Sequence, residues 1–342
     1  IHMDAVSRSS GSSIRTRPWA DPNVPDTLFL LPARFDTQQK IMLFLLSAVA
    51  IWPWFSGPFV LHLAILSCLN ILIVNGLAIV GRSGQLSFGH AAFFGTAAYI
   101  TAYFCKEAGF SPELGILLGV VGSGVLGFLI GSLAIRRQGI YFAMVTLALS
   151  QMVYFLAVQL PYTGGEDGIQ GVPRGMLFGL IDLKDDVAMY YFVLAVFLFG
   201  FALIMRAVHS PFGQVLKAIR ENEPRAISLG YDVDRFKLMS FVISATLAGL
   251  AGSMKSLVFQ LATLTDVHWH MSGEVVLMTL LGGMGTILGP VVGAGIVVGL
   301  QNYLANIGSW STIATGFIFV ICVLAFRRGV VGEIVAHLKN KN

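Results

Sequence analysis

Nine stretches of this chain are apolar enough to lie in a bilayer, at 41–55, 59–80, 86–104, 114–135, 140–160, 189–208, 238–261, 275–304 and 312–326. About 20 consecutive apolar residues give an α-helix the length of a bilayer's hydrocarbon core. Inside that core no water is present to satisfy the backbone, so a lone segment must pair its own N–H and C=O groups as a helix. A chain that repeats such stretches is therefore expected to be an all-α polytopic membrane protein. The expectation is about 8–10 membrane segments, broken or re-entrant helices included. Composition agrees: only 12% of residues are charged, against about 25% in an ordinary soluble domain.

Orientation follows from lysine and arginine, which concentrate in cytoplasmic loops. With the N-terminus in the cytoplasm, Arg82, Arg136, Arg137, the 206–237 segment and Arg327/Arg328 all fall inside. Of the 22 basic residues, only Lys106, Arg174 and Lys184 then lie outside, and Lys255 lies within a span. The remaining eighteen are cytoplasmic, so both termini are expected there. The net charge of +4 is accounted for by this asymmetry and does not call for nucleic acid.

The count fails at one place. If 275–304 crossed once, Arg327 and Arg328 would end up outside. That run exceeds one span and is interrupted by GGMGTILGP at 282–290. A short helix that enters and turns, followed by a returning span, restores the parity. Non-helical backbone at membrane depth must be enclosed by protein or line a cavity, so this break is expected to be buried.

A second interruption lies at 81–99, GRSGQLSFGHAAFFGTAAY. It brings Gln85, Ser87 and His90 into a bilayer-depth segment beside Gly81, Gly84 and Gly89. Paired broken segments mark the central path in many transporters. Gln85, Ser87 and His90 are thus candidates for the substrate path. The competing role, tying helices together with hydrogen bonds, is favoured for all three.

The most informative polar element is SPFGQVLKAIRENEPRAISLGYDVDRFK at 210–237. Ser210 and Pro211 suit a helix start, and Val215, Leu216 and Ile219 share one helical face. Pro224 opens a second short helix, and Gly230 suits its end. A connecting loop rarely needs such length and capping, so a docking surface for a cytoplasmic partner is favoured over a solvated linker.

Five blocks then occur in order: GQLSFGHAAFFGTAAYITA, GIYFAMVTLALSQ, TGGEDGIQGVP, FGQVLKAIRENEPRAISLGYDVDRFKLMSFVISATLAGLAGSM and LLGGMGTILGPVVGA. Over roughly 69–332 the chain resembles the LivM-type permease of the branched-chain amino-acid ABC transporter family. The resemblance implies a permease subunit in a bacterial inner membrane, importing branched-chain or related amino acids by alternating access. It implies four kinds of partner: a second LivH-type permease, two cytoplasmic ATPase subunits, a periplasmic substrate-binding protein and membrane lipid. It also implies an ATPase-coupling role for Arg220, Glu221, Arg225 and Gly230. ATP and Mg would sit on the ATPases, because this chain has no GxxxxGK[ST] loop. No catalytic residue, metal or cofactor is expected on the chain itself. It departs from the family at Arg327 or Arg328, where a proline is often found, and at Lys255, where a neutral residue is expected.

The organisation expected is a polar, flexible N-terminal segment at 1–40, a permease domain at 41–330 and a cytoplasmic tail at 331–342. No compact apolar signal-peptide core is visible in the first forty residues. The outer loop at 161–188 carries Glu166 and Asp167, which either face the binding protein or decorate a turn. Lys255 is read as snorkelling to the outer interface in preference to a role on the substrate path. Asp266, His268 and His270 are read as a surface loop rather than a metal site. The glycine pairs Gly115/Gly119, Gly127/Gly131 and Gly295/Gly299 permit close helix packing. Cys68, Cys105 and Cys322 have no metal or disulfide spacing. Two other functions compete. An ion-coupled secondary transporter acting alone normally needs deep ionisable residues, for which only His90, Lys255 and Glu274 are candidates, or a sodium site of unwound carbonyls. For an intramembrane enzyme, no HExxH, nucleophile elbow or paired intramembrane carboxylates are found in the sequence.

Overall fold

Proline at the first position of a helix loses nothing, because its missing N–H has no intrahelical partner there. Pro58 opens α1 in this way, and α1 (Pro58–Gly81) runs 24 residues without an Asp, Glu, Lys or Arg. The computed structural model describes residues 57–177, 179, 181–284 and 288–304, with single positions at 313, 316, 317, 320, 329, 331 and 333. The expected span at 41–55, nearly all of that at 312–326, Arg327 and Arg328, the 1–40 segment and most of the tail lie outside the described residues.

After α1 come α2 (His90–Lys106), α3 (Pro112–Ala134), α4 (Ile140–Gln159), α5 (Asp186–His209), the short α6 (Pro211–Glu221) and α7 (Glu223–Ser228), α8 (Val233–Phe259), α9 (Trp269–Gly282) and α10 (Gly289–Leu304). Among the described residues, extended structure is confined to four two-residue pieces. Ile169–Gln170 pairs antiparallel with Leu261–Ala262, and Met176–Leu177 with Ile181–Asp182. Among the described residues, α1, α3, α4, α5 and α8 are long and apolar enough to cross a membrane. The chain is an all-α polytopic membrane protein.

α8 forms the centre of the bundle, packed on α1, α2 and α3, while α5, α9 and α10 close around α1. Burial follows from this: α1 and α8 are largely enclosed, whereas α3, α4 and α5 turn more than half of their apolar length outward. Outward side chains such as Phe128, Phe155 and Phe199 suit contact with lipid chains.

The glycine pairs divide. A Cβ at Gly119 would come within 2.5 Å of Thr101 Oγ1, and one at Gly131 within 2.9 Å of Phe241. These positions let α3 approach α2 and α8 closely. At Gly295 and Gly299 of α10 nothing lies within 4 Å, so that pair carries no close packing among the described residues.

The expected interruption of the 275–304 run is present. α9 ends at Gly282, and Gly283 takes a left-handed φ of 102°. α10 then packs back against α9. A Cβ on Gly81, at the end of α1, would be 3.1 Å from Met284 Sδ. The turn therefore lies at the Arg82 end of the bundle, where the parity argument requires it.

After the other interruption the helix begins later than the apolar pattern suggests. Residues 82–89 form turns, and the helix starts at His90 instead of Leu86. The reason is local: Gly84 adopts φ 83°, and the Ser87 hydroxyl accepts the Gly89 N–H at 3.1 Å, a turn that competes with helical pairing. Gln85 and Ser87 are thus on the connection rather than on the span.

Candidate functional site

The 82–89 connection and the start of α2 are held by hydroxyl groups from three helices. Phe88 N–H donates to Thr146 Oγ1 of α4 at 3.1 Å. His90 Nε2 lies 2.6 Å from Ser244 Oγ of α8. Ala91 N–H donates to Ser272 Oγ of α9 at 2.9 Å, satisfying one of the donors that a helix start leaves orphaned. His90 is completely buried and meets Phe93 edge-on. Ser87 is also buried, its hydroxyl spent on Gly89. Gln85 differs: it is buried, yet neither its amide nitrogen nor its oxygen has a hydrogen-bond partner among the described residues.

The hydrogen bond to His90 gives a direct expectation. Ser244→Ala leaves Nε2 without that partner in an enclosed site, which costs about 1–3 kcal/mol. The variant should show a lower unfolding temperature in lipid nanodiscs, and Ser244→Thr should recover part of the loss. An unchanged transition in Ser244→Ala would rule out a stabilising role for this contact.

At the same end of the bundle α6 and α7 fold into a small platform. Ser210 precedes Pro211, but its hydroxyl bonds back to Ala207 O at 2.7 Å instead of capping α6. The second start is capped as expected of an Asn, with Arg225 N–H donating to Asn222 Oδ1 at 3.0 Å. Ile219, Ala226 and Val233 form a buried cluster covered by Val215 and Phe236, and Phe212 stacks on Phe236. Gly230 takes φ 87°, a conformation that glycine adopts without the steric penalty of a Cβ.

With the apolar face turned inward, Arg220, Glu221, Arg225 and Gly230 are all exposed. Glu221 has only a loose pairing with Lys217, 3.9 Å away.

The anchor of this platform escaped the sequence reading. Glu223 accepts from Lys237 Nζ at 2.8 Å and from Gln138 Nε2 at 2.9 Å. It thereby joins α7 to α8 and to the turn between α3 and α4. Lys237 is 98% buried on its side chain, so it belongs to the bundle rather than to the basic loop. The only sequence sign was an acid in the first turn of α7. Nearby, burial and the Arg220 guanidinium both lower the Arg82 pKa.

The opposite end carries the other candidates. Glu166 and Asp167 lie exposed on the 3₁₀ turn Gly165–Asp167, far along the chain fold from the platform. Arg174 joins this loop to the bundle, donating to Asp186 Oδ1 at 2.8 Å and to Val258 O at 2.9 Å. Lys255 does not snorkel outward. Its Nζ lies 2.6 Å from Asp266 Oδ2, with both side chains at least 85% buried. Asp266 is accordingly a buried counter-ion rather than part of a surface loop, because the 3₁₀ turn Leu264–Asp266 folds it back over the end of α8.

Comparison with known proteins bears on all of this. Residues 59–326 match the family described as "Branched-chain amino acid transport system / permease component". The chain is 28% identical to the high-affinity branched-chain amino acid transport system permease protein LivM of Escherichia coli strain K12, over 92% of this chain and 80% of the relative. It is 24% identical to the probable branched-chain amino acid transport permease protein LivH of Methanocaldococcus jannaschii, over 74% and 82%. It is 28% identical to the ribose import permease protein RbsC of Bacillus subtilis, over 81% and 87%. No solved structure matches the chain significantly.

Proposed function

The chain belongs to the branched-chain amino acid transport system permease family, and on that premise we propose that it is one of two permease subunits lining the path of an ATP-driven importer for branched-chain or related amino acids. The single observation that carries the mechanism is the anchored platform at the Arg82 end, with Glu223 clasped by Lys237 and Gln138. In this reading α6 and α7 lie in the cytoplasm and present Arg220, Glu221, Arg225 and Gly230 to an ATPase. A second, LivH-type permease completes the path, and each permease takes one of two ATPases. The opposite end, with Glu166 and Asp167, receives a periplasmic binding protein that delivers the substrate. ATP and Mg are bound by the ATPases. Both termini lie in the cytoplasm, and the membrane is the bacterial inner membrane.

The chemistry asked of this chain is conformational. ATP binding on the partners draws the two platforms together, and the ion pair passes that displacement to α8 at the bundle's centre. The path then opens toward the binding protein, and hydrolysis resets it. Energy is coupled because the two states of the permease bind the ATPases with different affinity.

Reconstitution tests the proposal. Uptake of leucine, isoleucine or valine into proteoliposomes should require ATP, both permeases, the ATPases and the binding protein. Uptake by this chain alone under an ion gradient would overturn it. Glu221→Lys should weaken co-purification of the ATPases about tenfold, the scale of one interfacial charge contact. The exposed site leaves folding and membrane insertion intact. Unchanged co-purification would remove Glu221 from the coupling surface. Gly230→Pro is a cruder probe, since it also removes the Gly230 N–H bond to Ile227 O.

A further inference from the structure

Between the 82–89 connection and the platform lies a partly open cavity of about 190 Å³, lined by Ser83, Gly84, Gln85, Gln138, Gly139, Ile219, Arg220, Glu223 and Lys237. Its charge is unbalanced. Glu223 is taken by Lys237 and Gln138, while Arg220 on the wall and Arg82 beside it have no carboxylate partner among the described residues. Burial, and then the Arg220 charge, hold the Arg82 pKa below its ordinary value. The Arg220 stem packs on Gly84, where an added Cβ would sit 3.5 Å from Arg220 Cγ. The Gln85 amide, 96% buried, has unused hydrogen-bonding capacity on both atoms. A polar cavity with the Arg220 guanidinium and a spare amide donor on its wall, and with Arg82 next in sequence to its lining Ser83, suits an anion with several acceptor oxygens.

We propose that this cavity binds a phosphoryl group on Arg220, Arg82 and the Gln85 amide, supplied either by inorganic phosphate or by the headgroup of an anionic phospholipid. A phosphoryl group fits better than a single carboxylate. Its tetrahedral oxygens reach donors from separate elements, here the connection and α6, and its charge answers two arginines. Occupancy ties the 82–89 connection to the platform, whose link through Glu223 runs instead to α8 and to the α3–α4 turn. The site thus senses phosphate or lipid at the junction where the platform moves. Its existence does not depend on what the permease carries.

The test uses the full chain in nanodiscs. Binding of inorganic phosphate is followed by ³¹P line broadening in discs of pure phosphatidylcholine. Retention of phosphatidic acid is followed by native mass spectrometry in mixed discs. Phosphate binding in neutral discs supports the site and names the free ion as its source. Selective retention of phosphatidic acid without phosphate binding supports the site and names the lipid. In either case Arg220→Gln should lower affinity about tenfold, the scale of one charge-assisted hydrogen bond. Lys217→Gln, on the same helix but outside the cavity, should leave it unchanged. The proposal is overturned if neither probe binds, or if Arg220→Gln and Gln85→Leu bind as the parent does. Arg220 is exposed, so its variant folds even if Gln85→Leu does not.

Discussion

Replacing Lys255 with Met is expected to destabilise the protein by about 3–5 kcal/mol, the cost of stranding one charge of a buried pair. Lys255 Nζ and Asp266 Oδ2 are 2.6 Å apart. The same carboxylate oxygen also accepts Thr263 N–H at 3.2 Å and Thr263 Oγ1–H at 3.0 Å. Those two bonds survive the substitution, so the carboxylate stays in place without its cation. Adding Asp266→Asn removes the stranded charge and keeps a carbonyl oxygen for Thr263. The double variant should therefore recover more than half of the loss. A double-mutant cycle read by thermal unfolding in nanodiscs measures this coupling. Additive effects, with no recovery in the double variant, would show that the two groups do not act as a pair. The position sharpens the expectation, since Asp266 follows the Leu261–Ala262 strand that pairs with Ile169–Gln170 of the long loop. Unfastening the pair should loosen that loop, making 161–185 the first region to gain hydrogen exchange.

The sequence spoke most clearly where the bilayer sets the rules. Hydrocarbon thickness dictates helix length, so α3, α4, α5 and α8 appear within a few residues of the apolar runs that announce them. The turn at Gly283 was recoverable because charge parity demanded it. The platform was legible because its signals are local: Pro211, Pro224 and Gly230 act within a few residues of themselves. Contacts that bring distant residues together were not legible. Glu223 reaches Lys237 and Gln138, 14 and 85 positions away, and nothing in their spacing reveals it. His90 illustrates the same limit. Its polarity marks it out in an apolar segment, but Ser244, 154 residues further on, supplies its partner. Lys255 departs from its expected place because snorkelling is what a lone lysine near a helix end does, and Asp266 makes it one of a pair.

Gly252→Leu is expected to abolish accumulation of folded permease in the membrane, and even Gly252→Ala should lower stability by about 3 kcal/mol, the upper part of the overpacking range. A Cβ at Gly252 of α8 would fall on the backbone carbonyl of Phe94 in α2, with Phe94 Cα at 3.0 Å. Backbone has no rotamer with which to yield, so the helices must separate. Separation would also disturb Ser253 and Thr101, which meet the Gly119 face of α3 on the same contact. Gly273→Ala is the control, since Gly273 lies in α9 with nothing within 4 Å of an added Cβ. There alanine's better helix propensity should make the change neutral or stabilising. Fluorescence-detected size exclusion of a tagged full chain, followed by thermal unfolding, distinguishes the two. Equal behaviour of Gly252→Ala and Gly273→Ala would mean that α2 and α8 are not in close backbone contact. The contact matters for transport because α8 carries Lys237 near its start and Gly252 further along. A push received at Glu223 can move α2, and with it His90, only while α2 and α8 stay seated against each other. Gly252→Ala protein that does fold should therefore hydrolyse ATP in the assembled transporter with reduced uptake per ATP.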